Sequence, residues 1–280
     1  MRHNFNSYFE LLRLGDARGY LLMVLFGFIL ARGFLFSLKE ILFFWLIIFL
    51  ISGFGFSIND CFGQKEDRLN KTRKNPIVLN EINFKKGLIF SISLAVLGLF
   101  LSLFFGLKFF LLCLAEALLV FFYSVPPLRM KSRPLLDLIS HGFFGGAIIF
   151  LFPLLFFKTS LTLFHYLIAF SLFYLSIILE LRNHLEDCEI DKLFGLKTTV
   201  ISLGYQKAEK LLRYLAIFYP LILFTIFFLI AQQHLILFSI FTLIFLLLFL
   251  FAENYKFVQN YKILDAYAFS SFILILFFNP

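Results

Sequence analysis

Charged residues are scarce in this chain: they make up 15% of its 280 residues, whereas 61% are hydrophobic. Soluble globular domains typically carry about 25% charged residues, so the composition excludes an ordinary soluble protein. Long polar stretches are also lacking, which leaves no segment that could fold as a separate soluble domain. We therefore expect a single transmembrane domain over residues 1–280.

Cysteine is nearly absent, with three residues at positions 61, 113 and 188. Three cysteines cannot all pair with one another, and their spacing matches no zinc site, so we expect reduced thiols. The net charge of +8 would suggest nucleic-acid binding in a soluble protein. In a membrane protein the bias of basic residues toward cytoplasmic loops explains it, and nucleic acid is not an expected partner. Residues 1–19 are too polar and too acidic for a signal peptide, so the first span is expected to be retained.

Long hydrophobic runs occupy most of the chain instead. A transmembrane helix needs about 20 apolar residues, and runs of this length favour helices over buried strands. Nine helices are predicted, the fourth and ninth of them short, at residues 20–38, 41–58, 87–107, 109–123, 135–157, 161–179, 211–230, 235–251 and 266–278.

Basic residues are unevenly divided between the two sides of this bundle. All but four of the 25 Lys and Arg side chains precede the first helix or follow the second, fourth, sixth or eighth. The exceptions are Arg32, Lys39, Lys108 and Lys158. The positive-inside rule then places the N-terminus and the polar loops, residues 59–86, 123–134 and 180–210, on the cytoplasmic side of the cell's inner membrane.

The first polar segment, residues 59–76, has the sequence NDCFGQKEDRLNKTRKNP. Charge at a membrane boundary is costly to keep without a function. Asn59 and Asp67 are eight residues apart and Asp60 and Asp67 seven apart, so all three can face the bundle interior if the helix continues. Oxygen ligands followed by cations are typical of a divalent metal and a phosphate held side by side. The cations here are Lys71, Arg73 and Lys74, each of which the positive-inside bias alone could also explain.

A second acidic segment lies at residues 180–191. Glu180, His184, Asp187 and Asp191 are spaced i, i+4, i+7 and i+11, which forms one stripe of a helix. Glu180 directly follows the apolar residues SIIL, so a solvent-exposed helix face does not explain the stripe. The alternative explanation is a helix cap at the membrane interface whose side chains hydrogen-bond their own loop. Carboxylates on two facing helices suit Mg²⁺, which typically takes one or two of them plus substrate phosphates.

A third polar segment, residues 123–134, has the sequence YSVPPLRMKSRP and presents Tyr123, Arg129 and Lys131. Its proline pair fixes a rigid exit from the bilayer. A helix stop with basic anchors is the simpler interpretation, and phosphate binding is the functional one.

Together the three segments resemble the motifs of the UbiA family of intramembrane prenyltransferases. The residues that resemble its first motif, N-D-x-x-D-x-x-x-D, are Asn59, Asp60, Asp67 and Asn70. Those that resemble its second, D-x-x-D-x-x-x-D-x-x-x-G-x-x-T, are Asp187, Asp191, Gly195, Thr198 and Gly204. Residues 123–131 are similar to the segment between the two motifs, and the nine spans agree with the family over nearly the whole chain.

Two residues depart from the family pattern, because Gly63 and His184 stand where the family has Asp ligands. Neutral histidine is a poorer Mg²⁺ ligand than carboxylate. Either the metal site tolerates these changes, with Glu66 or Asp60 compensating, or the activity is altered.

The resemblance implies an all-α bundle of about nine helices around a central lateral cavity. In it a prenyl group would pass from a polyprenyl diphosphate to a lipophilic acceptor, aromatic or isoprenoid, with release of diphosphate. The surrounding membrane lipid is a further expected partner. The implied cofactor is Mg²⁺, with the implied ligands Asn59, Asp60, Asp67, Glu180, His184, Asp187 and Asp191. The implied substrate-binding residues are Asn70, Lys71, Arg73, Lys74, Arg129 and Lys131. Tyr123 is expected near the reacting carbon and forms the implied catalytic set with Asp60 and Asp187.

Two other interpretations remain open at this point. A degenerate homologue would bind or carry isoprenoid lipids without catalysis, as Gly63 and His184 suggest. An ion-coupled transporter would also use acids inside the membrane, but the sequence shows no pair of matching interrupted helices.

Overall fold

The computed structural model describes residues 5–34, 37–69, 74–158, 160–230, 232–252 and 261–278. Across these ranges the regular structure is helical and no strand occurs, which confirms the all-α prediction. The α-helices are α1 (Phe5–Leu11), α2 (Leu14–Arg32), α3 (Leu38–Phe62), α4 (Gln64–Asp67), α5 (Phe84–Ser102), α6 (Leu107–Ser124), α7 (Leu136–Gly142), α8 (Ile148–Phe157), α9 (Leu163–Glu186), α10 (Cys188–Leu193), α11 (Thr199–Leu203), α12 (Tyr205–Ile230), α13 (Leu235–Ala252) and α14 (Lys262–Phe278).

Each of the nine predicted helices coincides with a helix in the described part of the chain, with its ends shifted. Within the described ranges, seven helices are both long and apolar enough to cross a membrane: Leu38–Phe62, Phe84–Phe105, Leu107–Ser124, Leu136–Phe157, Leu163–Glu186, Tyr205–Ile230 and Gln232–Phe251. The two predicted helices outside this set are α2 and α14. The protein is therefore an integral, multi-pass membrane protein, and the count of nine spans stays a prediction.

Local sequence signals set several helix ends. α3 begins with a capping box, in which Ser37 Oγ accepts from the Glu40 N–H and Glu40 Oε2 accepts from the Ser37 N–H, each at 3.1 Å. α5 begins at Asn83, whose Oδ1 accepts from the Lys86 N–H at 2.8 Å. Gly106, at φ 93°, separates the 3₁₀ turn after α5 from α6, because a residue with a Cβ rarely adopts that conformation.

Helix packing divides the interior between two connected regions. α3 packs against α2, α5 and α6, whereas α9 packs against α7 and α12, and α2 joins the two by packing on α8. Close approach of the backbones depends on glycine: a Cβ at Gly27 would lie 2.5 Å from the Phe150 carbonyl oxygen, and one at Gly146 would lie 2.5 Å from that of Leu172. Small residues at helix contacts are typical of membrane bundles. Gly146 belongs to a π-helical turn, Phe143–Ala147, that joins α7 to α8.

Phenylalanine fills much of the interior of the N-terminal region. Phe28, Phe44, Phe109 and Phe152 are fully buried, and the Phe44 ring lies 4.6 Å from that of Phe109. α13, by contrast, is little buried. Only 17% of the residues in its apolar 18-residue stretch are buried inside the protein, as expected of a helix that faces lipid. The three cysteines are buried and free, as predicted.

Three long helices end side by side at one end of the bundle. Tyr123, at the end of α6, donates a hydrogen bond to Glu180, near the end of α9. Ser124 donates to Asn59 Oδ1, near the end of α3, at 3.5 Å. The ends of α3, α6 and α9 therefore bring the three polar segments together.

Candidate active site

The first polar segment follows a nearly continuous helical path from α3 into α4. The Gly63 N–H donates to the Asn59 carbonyl at 2.8 Å, and the Asp67 N–H donates to the Gly63 carbonyl at 3.0 Å. Asn59 and Asp67 consequently share a face, as the spacing predicts. Asn75 holds the loop that follows, since its Nδ2 donates to Asp67 Oδ2 at 2.7 Å and to the Asp60 carbonyl at 3.0 Å.

Asp60 has a different environment from its neighbours in this segment. Its carboxylate is 1% exposed and forms an ion pair with the Arg13 guanidinium. Arg13 lies between α1 and α2, so the pair ties the N-terminal helices to the end of α3. A buried carboxylate with a guanidinium partner is compensated within the protein.

The second acidic segment is held together by His184. Its Nε2 lies 3.1 Å from Glu180 Oε1, and its Nδ1 lies 3.3 Å from Asp137 Oδ2. Both ring nitrogens therefore face carboxylates of the protein. Glu180 also accepts from Tyr123 and, at 3.2 Å, from Asn183 Nδ2. Glu180 and His184 thus anchor the end of α9 to α6 and α7.

Asp137, on α7, organises the outer end of this network. It is fully buried and accepts from the Thr199 N–H at 2.6 Å, from Thr199 Oγ1 at 2.5 Å and from the Leu138 N–H at 2.8 Å. Through these bonds α7, α9 and α11 are fixed relative to one another.

The third polar segment supplies two cations to the first. Arg129 Nη2 lies 2.8 Å from Glu66 Oε1, and Lys131 Nζ donates to Asn59 Oδ1 at 2.7 Å. A Cβ added at Gly63 would lie 3.5 Å from Lys131 Nζ. The Lys131 ammonium therefore lies beside the position from which the family's Asp side chain would project. Burial lowers the pKa of Lys131.

All three segments line one cavity of about 770 Å³. Its acidic lining residues are Glu66, Asp67, Glu180, Glu186, Asp187 and Asp191, and its Lys and Arg residues are Arg13, Lys74 and Lys131. Among the described lining residues, six acids face three Lys or Arg side chains and His184, so acids outnumber bases. Burial raises the pKa of Asp67 and of Asp187, and it raises the pKa of Asp191 to about 6. An anionic diphosphate would be repelled here unless cations accompanied it.

The donor set in this cavity fits Mg²⁺. Asn59 and Asp67 from the first segment and Asp187 and Asp191 from the second offer hard oxygen ligands. Among the described residues, no three His, Cys, Asp or Glu side chains converge closely enough to hold a metal ion by themselves. That arrangement suits an ion that completes its coordination with substrate phosphates and water, as Mg²⁺ usually does.

A second cavity of about 280 Å³ adjoins the first, with which it shares the lining residues Arg13, Asn59, Tyr123 and Asn183. The remaining lining residues are Tyr20, Ser52, Gly55, Phe56, Glu116, Val120, Ser124, His141, Phe144 and Ile149. Most of them belong to α2, α3, α6 and α8 or to the π-helical turn before α8. Tyr123 stands at the junction of the cavities, with its ring 4.9 Å from that of Phe144.

The structure collects most of the predicted site residues around the larger cavity. Those that line it are Asn59, Asp67, Lys74, Tyr123, Lys131, Glu180, His184, Asp187 and Asp191. Asp60 and Arg129 line neither of these two cavities and are held in ion pairs instead. Asn70, Lys71 and Arg73 lie outside the described residues, so their roles stay predictions.

Several residues of the two cavities and their supporting network are not singled out by the sequence patterns. Among them are Arg13, Glu116, Asp137 and His141. Glu116 and Asp137 carry a usable signal, because each is a carboxylate within a predicted apolar run, where charge is costly. Arg13 has no such signal, since its role depends on a contact with a residue 47 positions away.

The family model described as the UbiA prenyltransferase family matches residues 20–278. The chain belongs to this family. As a UbiA prenyltransferase it is an enzyme that transfers a prenyl group from a diphosphate donor within the membrane.

Individual relatives agree with this assignment. A digeranylgeranylglyceryl phosphate synthase of Saccharolobus solfataricus is 30% identical over 75% of this chain and 73% of its own. A synthase of the same name from Sulfurisphaera tokodaii is 24% identical over 72% of this chain and 71% of its own. These UbiA proteins match the chain over most of their lengths.

Solved structures show the same fold. A UbiA homologue from Archaeoglobus fulgidus bound to GPP and Mg²⁺ superposes with a TM-score of 0.76 at 24% identity, covering 97% of this chain and 98% of its own. A second structure, described as giving insights into digeranylgeranylglyceryl phosphate synthase in membranes, has a TM-score of 0.75 at 21% identity and covers 99% of both chains.

Proposed function

We propose that this prenyltransferase transfers a geranylgeranyl group to the free hydroxyl group of a glyceryl phosphate lipid that already carries one such chain. The names of the two archaeal relatives support this acceptor, because they describe a product with two geranylgeranyl groups on one glyceryl phosphate. The observation that carries the proposal is the adjoining pair of cavities. The larger one suits a diphosphate with cations, and the smaller one lies at membrane depth beside it.

The proposed metal ligands are Asn59, Asp67, Asp187 and Asp191, whose oxygen atoms line the larger cavity. The Mg²⁺ bound to the Archaeoglobus fulgidus homologue supports the choice of metal. When bound, Mg²⁺ would neutralise the diphosphate as it leaves. Asp60 is assigned a supporting role instead, because it pairs with Arg13 and lines neither cavity. Glu180 and His184 are also assigned supporting roles, because they pair with each other and join α9 to α6 and α7.

Cations of the protein complete the proposed diphosphate site. Lys74 and Lys131 line the cavity beside the acids, and Lys131 also holds the amide of Asn59 in place at 2.7 Å. Arg129 acts through Glu66, with which it pairs at 2.8 Å. Lysine is a common phosphate ligand and acts there as a point charge.

Tyr123 is proposed to lie beside the reacting carbon. Its hydroxyl group is fixed by Glu180, and its ring stands at the junction between the diphosphate cavity and the membrane-depth cavity. The electron-rich face of an aromatic ring attracts positive charge. The ring would therefore stabilise the cationic character that the prenyl carbon gains as its bond to diphosphate breaks, while the surrounding apolar residues exclude water.

The proposed orientation places the larger cavity on the cytoplasmic side of the inner membrane, where soluble diphosphates are available. The distribution of Lys and Arg supports it. We also propose that residues 1–280 act as one transmembrane unit. Contacts between the two ends of the chain support this, since the rings of Phe26 in α2 and Phe272 in α14 lie 5.2 Å apart.

The direct test is a matrix of donors and acceptors with the purified protein in nanodiscs containing Mg²⁺. Geranylgeranyl diphosphate would be offered with a monoalkylglyceryl phosphate, with 4-hydroxybenzoate or with a quinol, and products identified by mass spectrometry. An ether product with the glyceryl phosphate alone is expected. Product with an aromatic acceptor instead would refute the proposed acceptor but not the prenyltransferase assignment.

A binding protein without turnover is the second candidate, favoured by Gly63 and His184 at positions of family Asp ligands. The same assay separates the two candidates. A carrier would bind the donor and show a thermal shift with it, yet release no diphosphate with any acceptor. An active enzyme releases one diphosphate for each ether formed.

A further inference from the structure

Glu116 is a membrane-embedded carboxyl group that the mechanism above leaves without a role. It lies within α6, is 3% exposed, and its Oε2 has no hydrogen-bond partner among the described residues. Leaving a buried polar group unpaired destabilises the folded state, and more so when the group is charged. This loss of stability has a use if a group from outside the described side chains, such as a ligand, forms a hydrogen bond with Glu116.

The position of Glu116 shows where that partner would lie. Glu116, Val120 and Tyr123 occur at i, i+4 and i+7 of α6, on one helical face, and all three line the smaller cavity. Ser124, Asn59 and Asn183 add polar groups to the lining, but each has a hydrogen-bond partner within the protein. Glu116 is therefore a polar group aimed into a cavity that adjoins the diphosphate site.

The chemistry of a carboxyl group restricts what the cavity accepts. A hydrocarbon chain would leave Glu116 unpaired, so the prenyl chain of the donor is a poor match. A phosphate or carboxylate oxygen in direct contact with Glu116 would meet a like charge whenever Glu116 is ionised. A hydroxyl group both donates and accepts a hydrogen bond, so it pairs with Glu116 in either protonation state.

We propose that the smaller cavity binds the hydroxyl-bearing part of the acceptor and that Glu116 hydrogen-bonds the acceptor hydroxyl group. Glu116 is then a specificity residue that selects an alcohol and disfavours an acceptor that presents a carboxylate. This inference rests on the proposed function, because it takes the ligand of the smaller cavity to be the acceptor.

The test compares Glu116→Met, which keeps the length of the side chain and removes its polar atoms, with Glu116→Gln, which keeps a donor and an acceptor. Steady-state rates would be measured with geranylgeranyl diphosphate and a monoalkylglyceryl phosphate, varying each in turn. We expect Glu116→Met to lower kcat/KM for the acceptor by about tenfold or more, the effect of one lost hydrogen bond, with the donor KM unchanged. Glu116→Gln should retain most of the acceptor kcat/KM.

A matched control is Ser271→Ala, which removes a buried hydroxyl group from α14, a helix that lines neither of the two cavities. It should leave both substrates' kinetic constants unchanged. Without ligand, Glu116→Met should melt at the wild-type temperature or above it, because an unpaired buried polar group has been removed. If the acceptor kcat/KM of Glu116→Met equals that of the wild type, the proposal is overturned. Glu116 would then pair with water and not with the acceptor. An equal loss for donor and acceptor would also overturn it, because the cavity would then hold the prenyl chain.

A binding measurement keeps this inference separate from the proposed function. If the wild type forms no ether with the glyceryl phosphate, thermal shifts would be recorded with a monoalkylglycerol and with its analogue in which hydrogen replaces the free hydroxyl groups. A stabilisation that requires both the hydroxyl groups and Glu116 would support the alcohol site even though the proposed acceptor had failed. Equal shifts of wild type and Glu116→Met by the hydroxylated lipid would reject the site.

Discussion

Replacing Asp191 by Asn should make the metal-free protein more stable and the enzyme inactive. Asp191 is 8% exposed, and burial raises its pKa from 3.8 to about 6. Because the pKa is higher in the folded state than in the unfolded state, ionisation of Asp191 opposes folding. The penalty is present in full above about pH 6 and disappears as the pH falls toward 3.8. One pKa unit corresponds to about 1.4 kcal/mol, so the penalty at pH 8 is on the order of 3 kcal/mol.

The assay is thermal unfolding in detergent with EDTA, at pH 8 and at pH 5. At pH 8 the Asp191→Asn variant should melt several degrees above the wild type, a gap that narrows at pH 5. Mg²⁺ supplies the missing positive charge, so adding it with a diphosphate at pH 8 should stabilise the wild type far more than the variant. If the variant is no more stable than the wild type at pH 8 in EDTA, or if it keeps full activity, the account of Asp191 as a buried metal ligand is wrong.

Three further predictions concern the N-terminal ion pair, the first family departure and topology. Arg13→Met removes the guanidinium partner of buried Asp60 and should lower the free energy of unfolding by about 3–5 kcal/mol. The double variant with Asp60→Asn should regain part of this free energy, as measured by the same thermal unfolding assay. Gly63→Asp places a Cβ 2.8 Å from a backbone oxygen of α3, so the variant should have a lower melting temperature in EDTA. Because the new carboxylate stands at a family ligand position, Mg²⁺ and diphosphate should stabilise the variant more than the wild type. Equal stabilisation of the two proteins would refute this prediction. A cysteine at Lys158 should react with an impermeant reagent on intact cells and one at Lys197 should not, whereas the reverse result would place the larger cavity outside the cell.

The helices and the three polar segments could be predicted from sequence because their signals are local. Apolar runs of about 20 residues mark spans wherever they occur, and the seven helices that can cross a membrane all lie on predicted runs. The stripe formed by Glu180, Asp187 and Asp191 depends only on helical spacing. The three polar segments can share one cavity because the ends of α3, α6 and α9 that carry them lie on the same side of the bundle.

The partners of individual side chains could not be predicted in the same way. Asp60 carries the family motif, yet it pairs with Arg13, because the rotation of α3 and the path of the N-terminal helices decide which neighbour it meets. His184 stands at a family ligand position, yet it lies between Glu180 and Asp137. Spacing along one helix gives no information on residues contributed by another.

The larger cavity still favours the binding of a cation, even though Gly63 and His184 replace two Asp residues of the family pattern. Gly63 and His184 remove two carboxylates from the motif positions, and the Lys131 ammonium lies beside the first of them. Even so, among the described lining residues of the larger cavity six acids face three Lys or Arg side chains and His184, and burial raises the pKa of the carboxyl groups at 67, 187 and 191. Because burial raises these pKa values, ionisation of each group costs stability. Binding of Mg²⁺ and a diphosphate would offset that cost, so the charge balance favours a metal–diphosphate site in spite of the two departures.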